Sequence, residues 1–375
     1  MDDSTPGAKA HSVGTRSPTR DIYITERQRQ ILAIIIEQYV ATARPVASEH
    51  ITGHYSLNVS SATVRNEMVE LERAGLIAQP HTSAGRVPSD RGYRYFVENL
   101  MTPTALSTSE QRTIRHQFHQ IEMDVEEWVR LATAVLARTV RSAAVATTPR
   151  STAVRLKHFE FLSISDMRVL IVLVGHDGTV TQQMLTLDES WDQERLSNLA
   201  ARLNPAFEGK TSAQINNWLK EEDNARSLPA LAREVLVPAL SAMLSRLQRP
   251  ETAHIYHEGL SHILAQPEFH HPEKVQQLLE LFEQGGLWAS LIASVLNQEG
   301  VQVIIGDEGH GGGMASCSVV LARYGLENQM AGVLGVVGPM RMPYSRSVST
   351  VRYMSQLLSD LLFRAYNPHL LSGEE

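Results

Sequence analysis

Within residues 25–95 three helix-patterned segments are followed at once by a short turn-rich ribbon, and that order constrains the start of the chain more than any other feature. The first helix opens at Thr25, which makes a T-x-x-Q capping box with Gln28, and stops before Arg44-Pro45, because proline disfavours helix in the residue ahead of it. Ile31, Ile35 and Tyr39 form an apolar stripe, widened by Leu32, Ile36 and Val40, so this helix is expected to be mostly buried. A shorter second helix is expected from a Ser48 cap through EHITGHY, with Ile51 and Tyr55 facing the same core. The third runs from a Ser60 cap to a stop at Gly75, with Val64, Met68 and Leu71 at i, i+4 and i+7. LIAQ and RVP then read as two short strands around the turn residues PHTSAG, and Ser89 caps a further helix, DRGYRYFVENLM. Helix, helix, helix, ribbon is the order of a winged helix, a helix-turn-helix variant whose third helix enters the DNA major groove.

The composition of those elements fits nucleic acid. On a helical wheel Ala62, Asn66, Val69 and Arg73 lie opposite the core stripe of the third helix, with Thr63 and Arg65 on the flanks and Ser61 in its first turn. Alanine and threonine can meet thymine methyls, asparagine can bond adenine with two hydrogen bonds, and arginine can reach guanine or phosphate. The plainer reading is a solvated face with small residues. The stretch QPHTSAGRVPSDRGYRY adds His81, Thr82 and Ser83 at the tip of the ribbon, Arg86 on its return strand, and Arg91 and Arg94 on the next helix, all read as contacts to the phosphate backbone or minor groove. Its plainer reading is a surface hairpin in a protein-interaction winged helix.

The charge distribution localises any polyanion site. The 375-residue chain has a net charge of −7, so a surface that coats nucleic acid throughout is excluded. Residues 1–100 hold 11 basic and 11 acidic side chains, and the whole acidic excess lies beyond them. The length suggests two or three domains, and the apolar fraction of 43% is that of a globular chain with buried cores. Cys317 is the single cysteine, which excludes an intrachain disulfide and a cysteine-based zinc finger and fits a reducing cytoplasm. There is no apolar run long enough to cross a membrane, and residues 1–20 read as a short disordered tail without the apolar centre of a signal peptide.

At this point the residues resemble a known family. SSATVRNEMVELERAGLIAQPHTSAGRVPSDRGYRYFV is similar to the signature of the HrcA heat-inducible transcription repressors, and IYHEGLSHILAQPEF and GVLGVVGPMRMPYSRSVSTVRYMSQLL are similar to two further stretches of it. The resemblance extends from about residue 22 to 367, and the glycine-rich GDEGHGGGMAS departs from it. It implies a multidomain α+β protein: a winged-helix DNA-binding domain at 21–102, a linker helix and the first part of a GAF-like α/β sheet domain at 103–208, an inserted dimerising domain at 209–284, and the second part of the GAF-like domain at 285–375. It implies no catalysis and no cofactor. It also implies a homodimer on double-stranded DNA, at an inverted-repeat operator of the CIRCE type upstream of chaperone operons, with the GroEL chaperonin as a partner that promotes the active form.

The remaining chain, read from its own residues, is consistent with that layout. After a Pro/Ser/Thr linker, Ser109 caps a long helix in which Ile114, Phe118, Ile121, Val125, Trp128 and Val135 fall close to heptad spacing. VRLKHFEFLSI, MRVLIVLVG and TVTQQMLTL alternate with period two and read as an antiparallel meander closed by the turn HDG. A Ser190–Gln193 box opens helical patterns, including VLVPALSAMLSRL and KVQQLLELFEQ, the amphipathic segments expected to form the dimer surface. VQVIIG, CSVVLARY and AGVLGVVG are late strands expected to rejoin the meander, before a closing helix from about Ser347.

The rival reading is a ligand-sensing or nucleotide-binding module, or an enzyme, whose winged helix serves protein contacts. Its candidates are weak. The loop at 309–313 has no G-x-x-x-x-G-K-[ST] pattern and no lysine beside it to meet a phosphate. Cys317 with His310 resembles a nucleophile and base, but Cys317 opens an apolar strand pattern, where a buried inert thiol is the simpler reading. His254, His257, His262, His270 and His271 lack the i, i+4 pair and third ligand of a metal site.

Overall fold

The computed structural model describes residues 22–55, 57, 59–81, 84–121, 124–151, 154–176, 178–247, 254–283, 285–306, 308, 314, 316–326 and 329–367. The chain divides into two compact units, the first from 1–148, 254–325 and 332–375, the second from 149–253 and 326–331.

The first unit opens with the winged helix. Helix α1 (Glu26–Thr42) starts at the Thr25 box, where the Thr25 hydroxyl accepts the Gln28 N–H and the Gln28 side chain accepts the Thr25 N–H at 2.8 Å. It ends on Ala43 in the left-handed region, two residues before Pro45. Helix α2 (Ser48–His54) and helix α3 (Ser61–Arg73) close a core around Ile31, Leu32, Ile35, Ile51, Val64 and Leu71, all inaccessible to solvent. Ser60 caps α3, its hydroxyl accepting the Thr63 N–H at 3.1 Å. Ser48 is not the cap of α2. Ala47 holds that position without a side-chain bond, and the buried Ser48 hydroxyl instead accepts from Ser61 at 3.1 Å, tying α2 to α3.

The ribbon is shorter than its sequence pattern. Strand β1 (Ile77–Ala78) pairs with strand β2 (Val87–Pro88) in the register Ile77↔Pro88 and Ala78↔Val87. Arg86 is spent elsewhere: its N–H and carbonyl bond the carbonyl and N–H of Val46, each at 2.8 Å, so the return strand is held between the α1–α2 turn and β1. Gly85 makes this possible, since a Cβ there would stand 2.5 Å from the Val46 carbonyl. Helix α4 (Asp90–Tyr95) begins at the Ser89 cap, which accepts the Gly92 N–H at 3.0 Å, and runs into a π turn over Phe96–Leu100.

The expected long helix is two. Helix α5 (Thr108–His119) is capped by Ser107 in a box with Glu110, not by Ser109, and helix α6 (Val125–Val140) restarts where the Asp124 carboxylate accepts the Glu126 N–H at 2.8 Å. The apolar stripe survives the break, with Ile114, Phe118, Trp128 and Val135 buried. Strand β3 (Ala143–Thr147) follows.

The chain then builds the second unit. Strand β4 (Arg150–Ser151) is followed by strands β5 (Leu156–Ser165), β6 (Arg168–Gly175) and β7 (Val180–Thr186), an antiparallel sheet in the order β5-β6-β7. One face buries Leu156, Phe159, Phe161, Val169, Ile171 and Leu173 in a core completed by helices α7 (Gln193–Phe207), α8 (Ser212–Lys220) and α10 (Val237–Leu247), with a short α9 (Glu222–Arg226) between the last two. Asp192, not Ser190, caps α7, its carboxylate accepting the Arg195 N–H at 2.8 Å. That leaves Gln193 to accept the Ser163 N–H at 2.8 Å and to donate to the Phe161 carbonyl at 2.9 Å. Asn204 brackets Phe159 in the same manner, accepting its N–H at 3.0 Å and donating to its carbonyl at 2.9 Å.

Back in the first unit come strand β8 (Ile255–Glu258), helices α11 (Leu260–Leu264), α12 (Pro272–Glu283) and α13 (Gly285–Leu296), strands β9 (Val301–Ile305), β10 (Cys317–Leu326) and β11 (Met330–Pro339), and helix α14 (Tyr344–Tyr366). The strand order is β8-β3-β11-β10-β9. Ala143, Val145, Val319, Leu321 and Val333 face α11–α13, while Ser318 on the opposite face bonds the Tyr344 hydroxyl of α14 at 2.8 Å. Tyr344 is wholly enclosed, and this anchor starts α14 three residues ahead of Ser347.

Two expectations about organisation are corrected here. The meander does not join the late strands; it closes its own sheet because its apolar face is filled by α7 and α10, and β3 and β8 take the places beside β11. The inserted unit therefore spans 149–253, not 209–284, and residues 254–284 return to the first unit, where Leu278 and Leu281 of α12 are buried beside Trp288.

Candidate nucleic-acid interface

Helix α3 presents Ala62, Arg65, Asn66 and Arg73 to solvent, with Ser61, Thr63 and Val69 half-buried beside them. The exposed row follows from the period of the helix: Val64, Met68 and Leu71 are sunk in the core, so the residues half a turn away must face outward. Thr63 and Ser61 have local duties, with the Thr63 hydroxyl 2.9 Å from that of Ser60 and Ser61 bound to Ser48. Arg73 is paired to Glu70 at 2.6 Å, an exposed contact that leaves the guanidinium in water. Arg65, by contrast, has no ion-pair partner among the described residues. The face thus offers a free cation, a free carboxamide and a methyl within two turns of helix.

The arginines around the wing, alike in sequence, are not alike in place. His81 and Arg91 are exposed, and Arg91 reaches the Ala74 carbonyl at 3.5 Å. Thr82 and Ser83 lie outside the described residues. Arg86 is only 14% exposed and pairs with Glu72 of α3 at 2.9 Å, so it braces the wing against the helix instead of standing free on its edge. Arg94 is the clear correction. Its side chain is 5% exposed, donates to the Val303 carbonyl at 2.7 Å and to the Glu308 carboxylate at 2.8 Å, and has been turned away from any ligand of the wing. Arg341 donates to the Val40 carbonyl of α1 at 3.1 Å and to the Gln266 side chain at 2.8 Å, and pairs with Glu268. Burial, with the Glu308 carboxylate nearby, raises Asp90 above its ordinary value.

Among the described residues the candidate chemistry of the rival reading does not assemble. Burial pushes the Cys317 thiol up to about 12, which leaves it neither thiolate nor nucleophile at ordinary pH. His310 and the loop 309–313 lie outside the described residues. Among the described residues there is no cluster of three or more metal-ligating side chains, and no helix is long and apolar enough to cross a membrane.

Residues 23–100 match the family model described as the winged helix-turn-helix transcription repressor, HrcA DNA-binding domain, and residues 126–348 match that of the HrcA protein C-terminal domain. The chain belongs to the HrcA family. The heat-inducible transcription repressor HrcA of Roseiflexus castenholzii is 47% identical over 346 residues, 92% of this chain and 96% of its own. That of Herpetosiphon aurantiacus is 45% identical over 353 residues, 94% of this chain and 99% of its own. A crystal structure described only as that of a hypothetical protein has the same fold, with a TM-score of 0.52 at 21% identity over 91% of this chain and 99% of that one. HrcA relatives are named as transcription repressors, and the family is not one of enzymes.

Arg44, exposed and without an ion pair among the described residues, was missed by the sequence reading. It stands two residues before Val46, the partner of the wing strand, and its only signal was the Arg-Pro turn. Glu72 and Glu308 were also missed, since nothing in their own neighbourhoods marks them as partners for an arginine.

Proposed function

We propose that this chain is a sequence-specific DNA-binding transcription repressor whose α3 reads base edges in the major groove. The carrying observation is the outward row of Ala62, Arg65 and Asn66 on the third helix of a domain matched to a DNA-binding family model. Asn66 is assigned to a base edge. Arg65, Arg91 and Arg44 are assigned to phosphates, with His81 at the wing beside the minor groove. The operator is an inverted repeat of the CIRCE type upstream of chaperone operons, and the GroEL chaperonin favours the active form; both parts rest on the family resemblance. So does the GAF-like reading of the first unit's sheet, supported by helices on both of its faces. The cytoplasm is the compartment that such a repressor works in.

A single winged helix buries little DNA, so two half-sites read by a two-fold dimer are the economical way to operator affinity. Of the two segments expected to mediate it, α10 buries Val237, Leu240, Met243 and Leu244 in the second unit's own core, and α12 buries Leu278 and Leu281 in the first unit while Leu279 stays exposed. What the second unit offers instead is the outer face of its sheet, where Leu162, Ile164, Val180 and Met184 are exposed and Leu162, Leu170 and Met184 form one cross-strand row. We assign the dimer contact to this face. Sedimentation of Leu162→Lys/Met184→Lys is expected to give a monomer where the parent is a dimer.

Gel retardation with an inverted-repeat duplex and a scrambled one, at two salt concentrations, tests the main reading. Specific retention that survives the higher salt supports it; equal retention of both duplexes would sink it. Arg65→Ala is expected to lower the salt slope by about one unit. Operator affinity with and without chaperonin tests the partner, and an unchanged active fraction would remove it.

A further inference from the structure

Beside the start of α14 lies a cleft of about 730 Å³ that repression as described above does not use. That volume is within the roughly 300–1,000 Å³ typical of small-molecule sites. Its floor is apolar, from Ile114, Val135 and Val140, each at most 5% exposed. Its charged lining is three guanidinium groups, Arg138, Arg141 and Arg346, against the one carboxylate of Glu110. The whole chain has a net charge of −7, so this concentration of cations runs against the rest of the molecule. Arg346 is neutralised by Glu110 at 2.5 Å. Arg138, in the last turn of α6, and Arg141, just past it, are exposed and have no ion-pair partner among the described residues. Arg141 is held at φ 55, a backbone region that residues other than glycine and asparagine seldom adopt, at the rim of the cleft.

We propose that this cleft binds a small amphipathic anion, its apolar body on Ile114, Val135 and Val140 and its carboxylate or phosphate head on Arg138 and Arg141. A free guanidinium beside a desolvated floor gives a charge-assisted hydrogen bond more value than it has in open water, and two of them define a head-group position. Glu110 stands as the competing anion: its carboxyl is drawn down to about 2 by hydrogen bonds from Arg346 and Ser107, so it stays charged and repels a second anion at ordinary pH.

Titration calorimetry of the full chain with octanoate, octyl phosphate and octanol tests the site. Both anions are expected to bind, with octanol at least about tenfold weaker because it forms no charged contact. Arg138→Gln/Arg141→Asn should weaken both anions at least about tenfold at an unchanged melting temperature, since both side chains are exposed. Glu110→Gln should tighten them by roughly two- to fivefold by removing the competitor. A preference for octanoate or for octyl phosphate identifies the head group, and either supports the site. Octanol binding as well as octanoate, the double variant binding like the parent, or no heat from either anion at millimolar concentration each overturns the proposal. None of these readouts depends on DNA.

Discussion

Helices α3 and α4 both start at a serine cap and both carry arginine, yet the arginines of α3 stand in solvent while Arg94 of α4 is turned into the protein. On α3 Arg65 and Asn66 are exposed, and Arg65 has no ion-pair partner among the described residues; on α4 Arg94 is 5% exposed and spent on Glu308 and the Val303 carbonyl. The difference lies in what stands opposite. Ala62, Arg65 and Asn66 on the outer face of α3 are exposed, whereas α4 packs on β9, and Tyr93 lies 5.8 Å from Tyr344 ring to ring. A basic cluster in sequence therefore divides into a part free to bind an outside polyanion and a part that joins the winged helix to the rest of its unit.

Removing the inward arginine is the strongest way to break that comparison. Arg94→Ala removes a buried guanidinium and its bonds to the Val303 carbonyl and the exposed Glu308 carboxylate, and is expected to cost about 1.5–3 kcal/mol in urea unfolding of the full chain. A loss below about 1 kcal/mol would mean that the junction does not rest on this pair. The outward face should respond in the opposite sense. Asn66→Ala is expected to leave stability unchanged and to cost about 1–3 kcal/mol on the operator and little on scrambled DNA; equal losses on both would show that α3 does not read bases there.

Arg86 sharpens the division, because it sits on the wing but is braced by Glu72. Arg86→Ala is expected to cost about 1–2 kcal/mol of stability with the salt slope of DNA binding unchanged, and a slope lowered by one unit would return it to the phosphate contacts. The smallest effect belongs to the exposed pair of Glu110 and Arg346. The Glu110 carboxyl titrates at about 2 in the folded chain against 4.5 ordinarily, so its contribution is complete above 4.5 and is lost as pH falls toward 2. Glu110→Gln is therefore expected to be less stable than the parent by a constant small amount above 4.5, and the difference should vanish as pH falls toward 2.

The elements that local signals determine were legible: the Thr25 box, the Ser60 and Ser89 caps, the α3 stripe and the meander all stand where capping chemistry and apolar period put them. What was not legible depends on partners far along the chain. Arg94 and Glu308 are 214 residues apart, and nothing near Arg94 distinguishes it from Arg91. The break at Asp124 escaped because the heptad spacing continues across it, and the meander was given the wrong neighbours because its alternation states that one face is buried without stating by what.

The amides of Gln193 and Asn204 have a consequence for self-association. β5 is an edge strand, and an edge with vacant N–H and C=O groups is a template on which another chain can add itself. Here two side chains of α7 occupy those groups at Phe159, Phe161 and Ser163, in the manner of a short mock strand that cannot be extended. Strand addition along the β5 border is thereby disfavoured in a sheet whose outer face is apolar.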